Sequence, residues 1–169
     1  MKIIGFIGEP ASGKSTVMRE IISSFKGVGY VRKIGLIVYT FYHDDKAIVA
    51  GIYDDQVFSG TDRLSKSCGP VYREWIKEMV DDPDFDDYTF YWEGERFSNN
   101  KFFDFFFQEC PDPLIYYLEV NEEVLNERNQ ARSQQNDTWR KGMKTRMNNL
   151  KNKYPVISVD PIAEKSFWC

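Results

Sequence analysis

Short apolar runs alternate along the chain with stretches whose apolar residues recur at helical spacing. The runs predict buried strands, because several consecutive apolar residues fit the interior of a sheet. They lie at Lys2–Ile7, Gly35–Phe41, Lys46–Tyr53, Tyr88–Trp92, Leu114–Val120 and Val156–Val159. The turn-like residues Tyr42 to Asp45 join the second and third runs, which predicts an antiparallel hairpin after the first helix, marginal to the main sheet.

The stretches with apolar residues at helical spacing lie between these runs. Val17, Ile21 and Phe25 recur every four residues, which places them on one face of a helix. The predicted helices are Lys14–Lys26, Pro70–Val80, Ser98–Cys110 with Ser98 as its cap, Asn121–Arg132 and Thr138–Lys153. Strands that alternate with helices predict one α/β domain over residues 1–169, a three-layer α/β/α arrangement around a mainly parallel sheet.

The composition and charge of the chain argue against several classes of protein. The chain has 169 residues with 22 Lys or Arg and 26 Asp or Glu, a net charge of −4, which argues against a basic nucleic-acid coat. Its apolar runs are too short for a transmembrane helix. The N-terminal apolar stretch soon meets Glu9 and Pro10, which is too early for a signal peptide. We therefore expect a soluble cytoplasmic protein with no membrane partner.

The few cysteines and the single histidine argue against several kinds of metal, disulfide and catalytic site. The three cysteines, Cys68, Cys110 and Cys169, form no C-x-x-C pair, so neither a disulfide framework nor a zinc knuckle is supported. His43 is the only histidine, so His-rich metal sites and Ser-His-Asp triads are disfavoured.

The segment Gly8–Ser15 matches the phosphate-binding pattern G-x-x-x-x-G-K-[ST]. Its glycines let the backbone approach a ligand closely, and successive N–H groups then form an anion nest at a helix N-terminus. Lys14 is placed to reach the β- and γ-phosphates of ATP, and the Ser15 hydroxyl to ligate Mg²⁺. The expected nucleotide-binding residues are Gly8, Ser12, Gly13, Lys14, Ser15 and Thr16.

Three classes of phosphate-loop protein compete. A GTPase needs an N-K-x-D strand end, which is absent, and a motor or transporter ATPase needs a longer chain. A small kinase fits, because the span Arg128–Lys153 holds eight Lys or Arg residues and one acid, Asp137, before the last strand. We interpret residues 128–146 as a lid, in which Arg128, Arg132 and Arg146 neutralise the transferring phosphoryl group. The same basic stretch is also compatible with contacts to a nucleic-acid backbone.

Polar residues at strand ends and in the long loop Asp54–Gly69 predict where the substrate that accepts the phosphoryl group binds. Glu93 ends a strand, where it is placed to hold Mg²⁺ together with Ser15, and Arg96 follows. For a hydroxyl acceptor, Asp54 or Asp62 would take its proton. For a phosphate acceptor no base is needed, and Arg63 would matter more.

Aromatic residues crowd one predicted helix and three other positions. Base stacking on them is possible, but core packing is the expected role of the five phenylalanines between 102 and 107 and of Trp75, Trp92 and Trp139.

Three further segments resemble small kinases encoded by bacteriophages. They are Gly51–Asp54 continuing to Phe58–Ser65 with its G-T-D-R-L-S sequence, Trp92–Arg96 and Lys141–Leu150. The pattern is similar to that of 5-hydroxymethyluracil DNA kinases and of related small phage P-loop nucleotide kinases, over residues 3 to about 150. Two positions depart from it: Asp55 stands where small residues are usual, and Met143 where Arg is usual.

The resemblance implies ATP-dependent phosphorylation of the hydroxymethyl group on uracil bases in phage DNA, a step in thymine hypermodification. The expected partners are ATP, Mg²⁺ and DNA that contains a modified base. Two alternatives stay open at this point: a kinase of nucleoside monophosphates, and a nucleotide-binding module that transfers no phosphate.

Overall fold

The protein is described by a computed structural model over residues 1–54, 59–131 and 136–163. These ranges form seven strands and five helices. In chain order they are β1 (Lys2–Ile7), α1 (Lys14–Ser24), β2 (Gly29–Ile34), β3 (Ile37–Tyr42), β4 (Ala47–Ala50), α2 (Gly69–Asp81), β5 (Thr89–Glu93), α3 (Asn100–Glu109), β6 (Leu114–Leu118), α4 (Glu122–Ala131), α5 (Asp137–Lys153) and β7 (Ile157–Val159).

All seven strands form one sheet in the order β2-β3-β4-β5-β1-β6-β7. The pairs β4–β5, β5–β1, β1–β6 and β6–β7 are parallel, whereas β2–β3 and β3–β4 are antiparallel. The expected α/β class with a mostly parallel sheet is therefore confirmed. In this register Phe6 of β1 pairs with Glu93 of β5, so the phosphate loop begins where the neighbouring strand ends.

Side chains alternate between the two faces of the sheet and form a separate apolar core on each. One core joins Ile3 and Trp92 to residues of α2, α3 and α5. The other joins Phe6 to Val17 and Met18 of α1. Helices on both faces are compatible with a three-layer α/β/α arrangement, since neither face could bury its apolar side chains without them.

The antiparallel part of the sheet differs from the prediction. The hairpin of β3 and β4 is present, but it is not marginal: all four residues of β4 are buried, and β4 pairs with β5. An unpredicted strand, β2, extends the edge. Five of its six residues are exposed on a strand that has only one neighbour, so its sequence lacks the apolar alternation of a half-buried strand.

Local capping also corrects the prediction. α3 is capped by Asn99, whose side chain accepts from the N–H of Phe102, rather than by Ser98. Ser98 is buried and donates to the carbonyl oxygen of Gly94 at 2.7 Å instead. α1 ends at Ser24, because the extended backbone of Phe25 turns its ring onto Tyr42 and Tyr91.

The aromatic residues of α3 pack in the core as expected. Phe102, Phe103 and Phe106 are buried, and Phe105 and Phe107 pack against them from partly buried positions. Trp92 is also fully buried, with its ring stacked on Phe106 at 5.3 Å between centroids. This cluster fixes β5, and with it the position of Glu93.

In the described ranges we found no helix with the length and apolar character that crossing a membrane requires.

β1 approaches the Trp92 indole so closely that only glycine fits at position 5, which can be tested by substitution. A methyl group at Gly5 would collide with the buried indole, so Gly5→Ala is expected to lower the free energy of unfolding by about 1–3 kcal/mol. The matched control is Gly142→Ala in α5, where no described atom lies within 4 Å of the added methyl. It should raise stability by about 0.5–1 kcal/mol, because alanine favours helix. Urea unfolding of both variants measures the difference, and equal stabilities would contradict this packing.

Candidate functional site

The phosphate-loop motif links the end of β1 to the start of α1. Its backbone takes positive φ angles at Gly8 (151°), Ala11 (66°) and Gly13 (98°). Gly13 is the N-cap of α1, and no side chain of the described residues caps this helix end. The first N–H groups of a helix have no acceptor within it. Gly13, Lys14 and Ser15, at the start of this helix, line a cleft.

The Lys14 side chain folds back over this loop. Its Nζ donates to the carbonyl oxygens of Gly8 at 3.1 Å and Glu9 at 3.0 Å, and lies 3.5 Å from Ser12 Oγ. These contacts hold the ammonium group beside the main-chain amides of the loop. Positive charge and N–H donors thus converge on one concave surface, which is the arrangement that binds phosphate oxygens.

Glu93 faces this loop from the end of β5. Its side chain is almost fully buried, at 1% exposed, and its Oε1 accepts from Ser15 Oγ at 3.0 Å and from Tyr53 OH at 3.4 Å. Burial raises the pKa of Glu93 to about 7, and the charge of Asp62 adds to this, while Lys14 and the hydrogen bonds from Ser15 and Tyr53 oppose it. The carboxyl group therefore lies in a site that favours its neutral form when no cation beyond Lys14 is near.

Asp62 brings a second carboxyl group to the same cleft. It lies in a short 3₁₀ turn, Thr61–Arg63, and its Oδ1 accepts from the backbone N–H of Glu95. Gly94 permits this contact, because its φ is 111° and a Cβ there would stand 2.7 Å from Asp62 Oδ1. Loss of solvent raises the pKa of Asp62, against the lowering effects of the Glu95 N–H and of Lys14.

The opposite wall of the cleft is formed by α5. Trp139, Met143 and Met147 follow one another at intervals of four residues and all line the cleft. The two methionines are buried, whereas Trp139 is 39% exposed. The expectation that Trp139 belongs to the core is thus wrong, because α5 places it at the mouth of the cleft. The i, i+4, i+8 spacing of the three residues was the sequence signal for this wall.

The lid arginines occupy different positions. Arg128 in α4 donates to the carbonyl oxygen of Ala11 at 3.3 Å, so the structure brings it to the phosphate loop. Arg146 in α5 is half-exposed and forms an ion pair with Glu95 at 3.2 Å. Arg132 lies outside the described residues.

The acceptor residues expected from the long loop are divided between surface and cleft. Asp54 and Arg63 form an ion pair with each other at the surface, and neither lines the cleft. Arg96 donates to the carbonyl oxygens of Leu64 at 3.1 Å and Asp62 at 3.4 Å, which holds the turn that carries Asp62.

Arg19 was missed by the sequence analysis. It lies on α1 and lines the cleft, where it donates to Ser59 Oγ at 2.7 Å and to the carbonyl oxygen of Asp54 at 3.2 Å. Its position five residues after Lys14, beyond the end of the phosphate-loop motif, gave no motif signal.

The donor set between the loop and β5 suits Mg²⁺. Ser15 Oγ and Glu93 Oε1 are hard oxygen ligands that lie 3.0 Å apart. Mg²⁺ is usually held by one or two such protein ligands together with phosphate oxygens and water. Across the ranges given above, no group of three or more His, Cys, Asp or Glu side chains could hold a metal ion.

The raised pKa of Glu93 predicts how stability depends on pH in the absence of nucleotide. A carboxyl group whose pKa is about 7 in the folded state and 4.5 when unfolded stabilises the folded protein fully below pH 4.5. That contribution, about 3 kcal/mol, is lost as pH rises to 7. Glu93→Gln should therefore gain stability relative to wild type, by up to this amount, between pH 5 and pH 8. Parallel urea-unfolding profiles for the two proteins would contradict the assigned burial.

Comparison with known proteins adds no relative. No model of a known protein family matches the chain, and no curated protein matches it significantly.

Proposed function

We propose that the protein is an ATP-dependent kinase that phosphorylates a hydroxyl group, and that its acceptor is the hydroxymethyl group of 5-hydroxymethyluracil in DNA. One observation carries the proposal: Lys14, Ser15, Glu93 and Asp62 line a single cleft at the carboxyl ends of two neighbouring parallel strands. Ligands of open parallel sheets bind at this edge. The choice of acceptor base rests on the resemblance of the G-T-D-R-L-S, W-E-G-E-R and lid segments to phage DNA kinases.

The phosphate loop supplies the nucleotide site. The amides at the start of α1 and the Lys14 ammonium group would bind the β- and γ-phosphates of ATP, since both offer positive charge to the same surface. Arg128 lies beside this loop through its bond to Ala11. Its guanidinium group would there stabilise charge that develops on the transferring phosphoryl group.

Ser15 and Glu93 would hold Mg²⁺ in this site. When bound, the ion neutralises charge on the β- and γ-phosphate oxygens. Glu93 would then be ionised, because a neighbouring cation favours the carboxylate form. The Tyr53 hydroxyl donates to the carboxyl group of Glu93, and the Thr61 hydroxyl donates to its main-chain carbonyl oxygen, so both hold Glu93 in place beside Ser15.

Asp62 is the better placed of the two candidate bases. It lines the cleft, whereas Asp54 is paired with Arg63 outside it. The raised pKa of Asp62 makes it a stronger proton acceptor than an exposed aspartate. In the proposed reaction the acceptor hydroxyl oxygen bonds to the γ-phosphorus, the bond from that phosphorus to the β,γ-bridging oxygen breaks, and ADP leaves. The hydroxyl proton passes to Asp62.

The cleft also offers a surface for the acceptor base. Trp139 is partly exposed where it lines the cleft, whereas Met143, one turn further along α5, is buried. A flat aromatic surface beside a catalytic carboxylate suits a pyrimidine ring, because bases stack on tryptophan without hydrogen-bond readout.

A pair of isosteric substitutions tests the proposed base. Asp62→Asn should reduce ATP-dependent phosphorylation of DNA containing 5-hydroxymethyluracil by about 10²–10⁴-fold, because the proton acceptor is lost. Asp54→Asn, the matched control, should retain activity within a few-fold, since Asp54 does not line the cleft and its ion pair with Arg63 is partly exposed to solvent. Mass spectrometry of the DNA measures the product.

The acceptor panel includes each ribo- and deoxynucleoside monophosphate. Phosphorylation of a monophosphate with full activity in Asp62→Asn would replace this proposal with a nucleoside monophosphate kinase, whose phosphate acceptor needs no base. ATP binding without transfer to any acceptor would leave only a nucleotide-binding module.

A further inference from the structure

A second concave surface lies beside the cleft, on the other side of the segment that follows β5. Residues of this segment divide between the two surfaces: Glu95 and Ser98 line the cleft, whereas Arg96 and Asn99 line the second surface. Four basic side chains converge there, and among the described residues no carboxylate lines it. We call this surface the basic pocket; its cations are Lys66, Arg73, Arg96 and Lys101.

Three of these cations have no acidic partner. Within the described ranges, Lys66, Arg73 and Lys101 form no ion pair with a carboxylate. By contrast, Lys144 and Arg146 of the lid both pair with glutamates. The fourth cation, Arg96, has one carboxylate beside it, Glu95 at 3.9 Å. Like charges that gather in a concavity with so few counter-charges repel each other, and a bound anion relieves that repulsion. This is notable in a chain with a net charge of −4.

The two arginines of the basic pocket are held in place. The Arg73 guanidinium lies 5.3 Å from the centre of the Phe102 ring. Arg96 is fixed by its bonds to the carbonyl oxygens of Leu64 and Asp62. Lys66 and Lys101 are exposed at the rim. Two fixed guanidinium groups flanked by two lysines suit phosphate oxygens, for which arginine supplies planar donors and lysine supplies charge.

We infer that the basic pocket binds the phosphodiester backbone of a nucleic-acid acceptor, next to the nucleotide that reacts in the cleft. The inference rests on the proposed kinase function and identifies its acceptor as a polynucleotide. Lys66 follows Asp62 by four residues, so their Cα atoms are at most about 14 Å apart. A strand whose base reaches Asp62 would thus place a neighbouring phosphate at the basic pocket. A nucleoside monophosphate, with one phosphate, has nothing to place there when it occupies the cleft.

The test is oligonucleotide binding by the full chain without ATP. The probe is a fluorescein-labelled single-stranded oligothymidylate, followed by fluorescence anisotropy over a range of salt concentrations. The variant Lys66→Gln/Lys101→Gln removes both rim lysines. The matched control, Lys2→Gln/Lys26→Gln, removes the same charge from exposed lysines. They lie at the start of β1 and just beyond the end of α1, the ends of these two elements that are away from the phosphate loop.

The basic-pocket variant should reduce the slope of log K against log salt by about 1.4, at roughly 0.7 per lost phosphate contact. That slope corresponds to about 25-fold weaker binding at 0.1 M salt. The control should change binding only a few-fold. Equal losses in the two variants would overturn the inference, because they would show only the effect of net charge. The inference would also be overturned if thymidine monophosphate displaced the probe as effectively as unlabelled oligonucleotide does at the same phosphate concentration.

This result is separable from the proposed function. Probe binding needs neither ATP nor transfer, so a protein that fails to phosphorylate any acceptor can still show the pocket-specific loss. Conversely, the protein could phosphorylate monophosphates and bind the probe weakly, with no effect of Lys66→Gln/Lys101→Gln. That result would leave the nucleotide site in place and refute nucleic-acid binding at the basic pocket.

Discussion

The buried carboxyl group of Glu93 is the constraint on which the site depends. It lies at the end of β5 and accepts hydrogen bonds from Ser15, at the end of the phosphate loop, and from Tyr53, in the region after β4. Three separate parts of the chain therefore meet at one group whose burial raises its pKa to about 7. A buried carboxyl group of this kind is costly unless a cation compensates it. The fold thus holds, next to the phosphate-loop motif, a group that favours a further positive charge.

The remaining charges follow from the same geometry. The charge of Asp62 raises the pKa of Glu93, and the charge of Glu95 raises that of Asp62, while Lys14 lowers the pKa of both Asp62 and Glu93. The turn that carries Asp62 is fastened from outside the cleft by Arg96. Arg96 therefore has two roles: it supports the turn of the carboxyl group proposed to take the proton, and it lines the basic pocket. Chemistry in the cleft and binding of a strand beside it would share this one segment.

Local signals predicted much of this arrangement. The phosphate loop is a contiguous motif, β1 is a short apolar run, and α2 has an apolar stripe at helical spacing, so each could be recognised without tertiary context. Glu93 was found because it ends an apolar strand. The strand β2 could not be found, because its exposed residues carry no alternation and its pairing with β3 alone defines it. The choice between Asp54 and Asp62 needed three dimensions: both lie in one loop, and only the contacts with Arg63 and Glu95 separate them. The basic pocket likewise joins residues of α2, α3 and two loops.

The central claim is that the loop at the start of α1 binds the triphosphate of a magnesium–nucleotide complex. Calorimetric titration of MgATP into the full chain tests it most directly, with Lys14→Ala and the exposed helix variant Gly142→Ala in parallel. We expect saturable binding at one site in wild type and in Gly142→Ala. We expect a loss of at least about tenfold in affinity in Lys14→Ala, since a charged hydrogen-bond donor to phosphate contributes about 1.5–3 kcal/mol. No heat and no thermal stabilisation of the wild-type protein by MgATP, or equal binding by Lys14→Ala, would contradict it.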